Sequence, residues 1–435
     1  MPKANLPLRI VLTGLSATAP LTALAATASQ EVNEAYGPAY KLYVDLHQHP
    51  ELSGNETQTA AKVAAALKAQ GYTVTEHVGG TGVVAILKNG PGPTIMLRTE
   101  LDALPVEEKT GLPYASKVRA KDPNGRDVSV GHMCGHDVHM SALVATAGIM
   151  AHSKDTWHGT LMLIGQPAEE TIAGAKAMIK DGLFTRFPRP DAALALHVGN
   201  DLPAGQIGIV AGSYSTNADS IRITIYGKGG HGSAPHTAVD PIVTAARTIL
   251  TLQTIPSREV KPGELAVVTV GYINAGTKNN IIPDQAEMGL TVRTFKQDVR
   301  KQVLEAITRI TNAESQAANT PRPPSIDRFE MTDAVFNDAA LIDKLKPVLE
   351  QAIGKDNVVT EEPITASEDF SAYLAEKIPG LFLSLGGADP EKLTQAKAAG
   401  AHLPSNHSSL FAPDVDPALH TAITAEVAML RSMLK

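Results

Sequence analysis

The stretch Gly131-His132-Met133-Cys134-Gly135-His136-Asp137-Val138-His139 holds the only cysteine of the 435-residue chain and three of its fourteen histidines. A thiolate and imidazoles set this closely together are ligands for a transition metal such as zinc. Cys134 and His136 are two residues apart with a glycine between them. An extended loop would turn both side chains to one side, whereas a helix would splay them by roughly 200°. A buried thiol beside unrelated histidines is the plain alternative, and a redox thiol is another. The complementary donors around Cys134 weigh toward metal.

Other residues able to do chemistry recur at the ends of apolar runs. Asp102 closes Arg98-Thr99-Glu100-Leu101-Asp102, the pair Glu169-Glu170 follows Gln166-Pro167-Ala168, and His197 follows Asp191–Leu196. Each of these runs reads as a strand, so all four residues sit just past the carboxyl end of one, where open α/β sheets bind ligands. Any one of them could be a surface charge or a helix cap, Glu169 above all. Four together are harder to assign to chance.

The elements that must position these residues alternate between strand and helix. A helix over Glu31–Leu46 precedes one over Glu56–Gln70, capped by Asn55 and stopped by Gly71. Tyr72–His77, Gly82–Leu87, Thr94–Arg98, Gly159–Gly165 and Asp191–Leu196 read as strands, while Met140–His152 and Ala173–Lys180 read as helices. This is α/β, a catalytic domain with a central mixed sheet flanked by helices. After Gly212 the pattern changes. Strand Ile221–Tyr226, helix Pro241–Leu252, strands Leu265–Ile273 and Glu287–Thr294, helix Asp298–Ala313 and a strand near Ser325–Glu330 give the β-α-β-β-α-β order of the ferredoxin-like split unit. Residues 213–327 are therefore expected to be an inserted α+β domain, and residues 29–212 and 328–435 the catalytic, metal-binding domain. Within the insert, Gly227-Lys228-Gly229-Gly230-His231 lacks the strand–helix context of a nucleotide fingerprint. The chain returns to α/β with helix Asp338–Ile353, strand Leu381–Leu385 and a long helix after Pro417.

Residues 1–28 carry Lys3 and Arg9 followed by an uncharged, small and apolar run, with A-x-A patterns at Ala23–Ala25 and Ala26–Ala28. They read as a secretory signal cut after Ala25 or Ala28. The expectation is a secreted, periplasmic protein with no membrane association after cleavage. Net charge is −7 with no basic run, which argues against nucleic-acid binding. Aromatic residues make up only 4%, consistent with alanine-rich helices on a sheet.

Taken in order, DLHQHPELSGNE, RTELDALP, GHMCGHD, QPAEE, LHVG, GKGGHGSAPH, NNIIPD, TVRTF, SEDF and the late His407 resemble the amidohydrolase branch of peptidase family M20. That branch includes hippurate hydrolases, N-acyl-amino-acid amidohydrolases and auxin-conjugate hydrolases. The resemblance implies two divalent ions, zinc first, with manganese, cobalt or nickel as alternatives. Cys134 would bridge them, His136 and His197 would each ligate one, and Glu170 and His407 would complete the set. It further implies that Asp102 orients a ligand histidine. Glu169 would be the general base, taking a proton from metal-activated water and returning it to the leaving amine. His231 would stabilise the oxyanion, from the partner subunit in dimeric relatives, and Asn280 and Arg293 would hold a substrate carboxylate. The chain departs from the branch's usual R-A-D-M-D-A-L-P in Thr99 and the longer acid Glu100.

The function expected from this resemblance is hydrolysis of the amide bond of small N-acyl amino acids or dipeptide-like substrates. The inserted domain would serve as lid and dimerisation surface, allowing a homodimer. A metallo-carboxypeptidase or dipeptidase with the same machinery is the alternative, and a non-catalytic metal-dependent binding protein is a further one.

Overall fold

The computed structural model describes residues 19–435, with side chains from Ser29 onward. The leader read at residues 1–28 lies outside the described side chains, and residues 1–18 lie outside the description altogether. Helices α1 (Ala19–Gln48) and α2 (Thr57–Ala69) precede strands β1 (Thr73–Val78), β2 (Gly82–Asn89) and β3 (Thr94–Glu100). Helix α3 (His136–His152), β4 (Gly159–Gln166), α4 (Gly174–Lys180), β5 (Ala192–Pro203) and β6 (Ile207–Ile209) follow. The next stretch holds β7 (Asn217–Tyr226), α5 (Pro241–Leu252), β8 (Ala266–Ala275), β9 (Gln285–Thr294), α6 (Gln297–Ala317) and β10 (Ser325–Thr332). Helix α7 (Ala339–Ile353), β11 (Val358–Thr360), β12 (Gly380–Ala388) and α8 (Val415–Met433) complete the architecture.

Strands β3, β4 and β5 are almost continuously buried because both of their faces are covered. They lie in an eight-stranded sheet of order β1-β2-β4-β3-β5-β12-β6-β11. Its centre, β4-β3-β5-β12, is parallel, while β1, β2 and the β12–β6 contact are antiparallel. The sheet is therefore mixed. One face packs against α1, α3 and α8 around Tyr43, Leu97, Trp157 and Leu419. The other packs on Tyr214, Phe370, Tyr373 and Phe382. Helix α3 is buried along nearly its whole length, so its alanine-rich sequence reflects a central layer with no solvent face.

Strands β7 to β10 form a separate antiparallel sheet of order β8-β9-β7-β10, with α5 and α6 packed on it around Ile223, Val303 and Ile307. In terms of its own four strands this order is 2-3-1-4, that of the split β-α-β-β-α-β unit. Helix α5 starts where Asp240 accepts hydrogen bonds from the amides of Ile242 and Val243, with Pro241 at its first position.

Three local expectations need correction. Asn55 does not cap α2. The carboxylate of Glu51 reaches forward instead and accepts from the amides of Gln58 (3.1 Å) and Thr59 (2.8 Å). His197 is not past the end of its strand. It lies inside β5, which continues to Pro203 because β12 stays paired with it through Ser384 and Leu385. Cys134 and His136 do not share an extended loop. Gly135 takes a left-handed conformation (φ 84°) and His136 is already the first residue of α3. A β-carbon on Gly135 would lie 2.3 Å from Val198 Cγ1, so both the backbone turn and the close approach require glycine.

Candidate metal centre

The carboxyl ends of β3 and β4, the middle of β5 and the loop before α8 deliver the polar residues to one place. Two of the deliveries pass through backbone conformations that non-glycine residues rarely adopt: Ala168 (φ 50°), just before Glu169, and His407 itself (φ 69°). Such outliers persist where surrounding structure holds them and concentrate at functional sites. The His407 amide donates to the carbonyl of Met133 at 2.7 Å, tying the late loop to the cysteine motif.

Cys134 Sγ lies 3.5 Å from His197 Nε2 and 3.3 Å from His407 Nε2. His407 Nε2 is 3.3 Å from Glu170 Oε2, and His136 Nε2 is 3.9 Å from Glu170 Oε1. Nitrogen and sulfur donors at about 2.0 and 2.3 Å from one zinc ion, at a tetrahedral angle, stand about 3.5 Å apart. The observed spacings match. The sulfur belongs to two convergent sets, one with His136 and His197 and the other with Glu170 and His407, so it is placed as a shared donor. His136 and His197 fall in the same set.

The polar atoms aimed into this cluster lack other partners. His136 Nε2 and Glu170 Oε1 are buried without a hydrogen bond. The remote nitrogens are engaged: His136 Nδ1 donates to the carbonyl of Asp102 (2.8 Å) and His197 Nδ1 to that of Val198 (3.0 Å), leaving each Nε2 as a lone-pair donor. Burial, followed by the charges of Glu170 and Glu169, pushes the Cys134 thiol well above its usual range. Burial likewise holds His197 well below the usual imidazole range. A thiol, imidazoles and carboxylates packed this way call for cations, and the residues present fit a divalent pair.

Asp102 orients His136 mainly through its backbone carbonyl, since its Oδ1 stands 3.5 Å from the ring nitrogen. Its other carboxylate oxygen accepts from Ser53 (2.7 Å) and from the amide of Glu170 (3.0 Å), fixing the turn that presents Glu170. Glu169 is buried beside these donors, with its carboxylate within reach of both the His136–Glu170 pair and the Glu368–Asp369 pair. Burial, then the charges of Glu368 and Glu170, raise its carboxyl well above the usual range.

Sequence reasoning assigned no role to the support behind these groups. Arg98 is fully buried and pairs with Glu100, with Glu368 (2.8 Å) and with Asp369 (3.1 Å). Its Nε also donates to Gln166 (2.9 Å). Glu100 accepts from His139 Nδ1 (2.9 Å), and His139 Nε2 accepts the amide of Val198 (2.8 Å). The longer acid at position 100 therefore bridges Arg98 to a histidine that fixes the backbone next to His197. The signal available in the sequence was the pair of charged residues inside the otherwise apolar run Thr94–Glu100.

The cluster opens into a cavity of about 900 Å³ lined by Cys134, Glu169, Glu170, His197, His407 and Arg293, among others. Arg293 reaches it from β9, with Nη1 3.4 Å from Ser367 Oγ. His231 and Asn280 are not among its lining residues. They lie exposed where Gly230–His231 pairs with Ile281–Ile282, and His231 Nδ1 is engaged with the amide (3.1 Å) and hydroxyl (2.7 Å) of Ser233.

The profile described as Peptidase family M20/M25/M40 matches residues 96–407. The chain belongs to peptidase family M20. It is 39% identical over 349 residues to an N-acetyl-L-cysteine deacetylase of Bacillus subtilis, covering 78% of each chain. It is 38% identical over 352 residues to a hippurate hydrolase of Campylobacter jejuni, covering 80% of this chain and 88% of the other. Among solved structures, a Bacillus subtilis protein described as a dinuclear metal-binding peptidase of family M20 superposes with a TM-score of 0.74 at 30% identity. That match covers 93% of this chain and all of the other. This M20 chain is thus a hydrolase of amide bonds on a dinuclear metal-binding fold, and its matched span runs from β3 to His407.

Proposed function

We propose that this M20 hydrolase is a binuclear amidohydrolase that removes the acyl group from N-acyl amino acids or related small amides with a free carboxylate. The observation that carries the reading is the convergence of Cys134, His197, His407 and Glu170 beside the buried Glu169, in a cavity whose only lysine or arginine among the described residues is Arg293. Zinc is the first candidate for the ions, given one thiolate and three imidazoles. When bound, the ions supply Lewis acidity that polarises the amide carbonyl and favours attack by water near neutral pH. Glu169 takes the proton of the attacking water and hands it to the leaving amine nitrogen, a relay that its buried position beside His136 and Glu170 allows. Arg293 offers a guanidinium fork to the substrate carboxylate.

A panel of N-acyl amino acids and dipeptides, offered to the metal-loaded enzyme, separates this reading from a carboxypeptidase or dipeptidase. The proposal expects acyl amino acids to be turned over faster, and a clear preference for dipeptides would replace it with the alternative. Arg293→Ala should lower kcat/KM about 10- to 100-fold on substrates with a free carboxylate, in line with losing a charged hydrogen bond. On the carboxamide analogue its effect should be small. Equal losses on both compounds would remove Arg293 from that role.

The position of His231 supports a homodimer in the proposal. It is exposed and outside the cavity of its own chain, and the β7–β10 sheet has an unpaired edge at β8 with Tyr272 and Ile273 exposed. If a partner supplies His231, mixing inactive His231→Ala and Glu169→Gln chains should restore part of the activity in hybrids. Hybrids verified by mass and without activity would count against the shared site. Export is proposed as well, to the periplasm after removal of residues 1–25 or 1–28, and the mass of the mature chain from fractionated cells would test it.

A further inference from the structure

Beyond the ligand cluster, the cavity continues along one face of the main sheet. His197 on β5 is paired with Ser384 on β12, and Ser384 with Gly208 on β6. Directly paired residues share a face, so an imidazole, a hydroxyl and a bare glycine follow one another at steps of about 4.8 Å. Phe382, two residues before Ser384, lies on the same face, with its ring centroid 6.4 Å from His197 and 4.8 Å from Tyr214. The Tyr214 hydroxyl is 3.2 Å from Ser384 Oγ. The missing side chain at Gly208 is filled by a carboxylate: a β-carbon there would lie 1.8 Å from Glu361 Oε2. Glu361 follows β11 and is held by its amide, which donates to the carbonyl of Ile209 at 3.0 Å. Its carboxylate has no hydrogen bond or ion pair among the described residues, and it lines the cavity together with Asp201.

Within the cavity, Arg293 and the unpaired Glu361 carboxylate lie apart. The segment from Glu361 to Ser367 forms one wall, and Arg293 meets it at Ser367. Arg293 stands at one end of that wall and Glu361 at the other, with the ligand cluster alongside. A substrate whose amino-acid carboxylate faces Arg293 directs its acyl chain the other way, past Phe382 and Tyr214 toward Ser384 and Glu361. Two strand steps place Gly208, and the Glu361 carboxylate that covers it, about 10 Å from His197. An extended six-carbon acyl chain closed by one hydrogen bond spans roughly that distance.

We propose that Glu361 sets acyl selectivity, favouring chains that end in a cation or hydrogen-bond donor and disfavouring chains that end in a carboxylate. The inference rests on the amidohydrolase reading and names the acyl class for that site. It is tested with three substrates sharing one amino acid and a six-carbon acyl group: 6-aminohexanoyl, hexanoyl and adipoyl. Rates of the two charged compounds are each normalised to the hexanoyl compound. The wild type should prefer aminohexanoyl over adipoyl by about tenfold in kcat/KM, the scale of a partly exposed ion pair against its like-charged counterpart. Added salt should shrink that ratio, and Glu361→Gln should bring it close to one. A ratio that is the same in wild type and Glu361→Gln, while hexanoyl is hydrolysed, overturns the inference alone. A metal-loaded wild type that hydrolyses none of the three overturns the amidohydrolase reading and the inference with it.

Discussion

Glu169→Gln should retain its bound metal and its fold while losing about 10²- to 10⁴-fold in kcat, the usual contribution of a general acid–base group. The amide keeps the shape of the side chain but cannot take a proton. Glu169 is not needed to complete either set that shares Cys134, so metal content should be preserved. The variant also removes one buried acid from beside Glu368, Glu170 and Asp369, whose charges add to burial in raising its carboxyl. Far-ultraviolet circular dichroism on the same sample separates lost activity from lost structure. Near-normal kcat in a metal-replete Glu169→Gln protein would remove Glu169 from the role of base.

Cys134→Ser should lose metal and activity together. Sγ is the only donor belonging to both the His136–His197 set and the Glu170–His407 set, so its loss weakens two positions at once. A serine hydroxyl stays neutral where a thiol beside a divalent ion loses its proton to solvent, and it is the harder, poorer ligand. The fall in affinity should exceed the about 10- to 100-fold typical of losing a group that merely supports a ligand. Elemental analysis after dialysis, alongside far-ultraviolet circular dichroism, separates this from unfolding. A folded Cys134→Ser protein with full metal and intact turnover would mean that the sulfur is not a ligand.

The parts of the fold legible in the sequence were those governed by local pattern. Gly82–Leu87 and Thr94–Arg98 could be read as strands because runs of that length are bounded by glycine and proline, and the observed strands extend each by two residues, to Asn89 and Glu100. The α5 start could be read because Pro241 and a short acid precede an amphipathic run. The α3 start was misplaced because the turn depends on φ at Gly135, forced by contact with Val198 some sixty residues away. The true extent of β5 was missed because pairing with β12, nearly two hundred residues later, carries the strand through a His-Val-Gly sequence that by itself looks like its end.

The clustered donors were legible for a different reason. Cys, His and Glu in compact motifs have few other uses in combination, and the structure brings Cys134, His136, Glu170, His197 and His407 to one point. What holds them was not legible. Arg98, His139, Glu368 and Asp369 act through contacts between distant segments, and a charged residue in an apolar strand does not announce its partner. His231 and Asn280 show the same limit from the other side: motif order placed them with the cavity, while the single chain leaves both at the surface.

The central claim is that one chain holds two divalent ions and uses them to hydrolyse an N-acyl amino acid. Its most direct test is to strip the wild-type protein with a chelator and titrate zinc back while following bound metal and turnover in the same sample. The account predicts no turnover in the stripped protein, two ions bound per chain at saturation, and full activity only as the second site fills. Turnover that survives complete removal of metal, or a saturated chain holding a single ion, would contradict it.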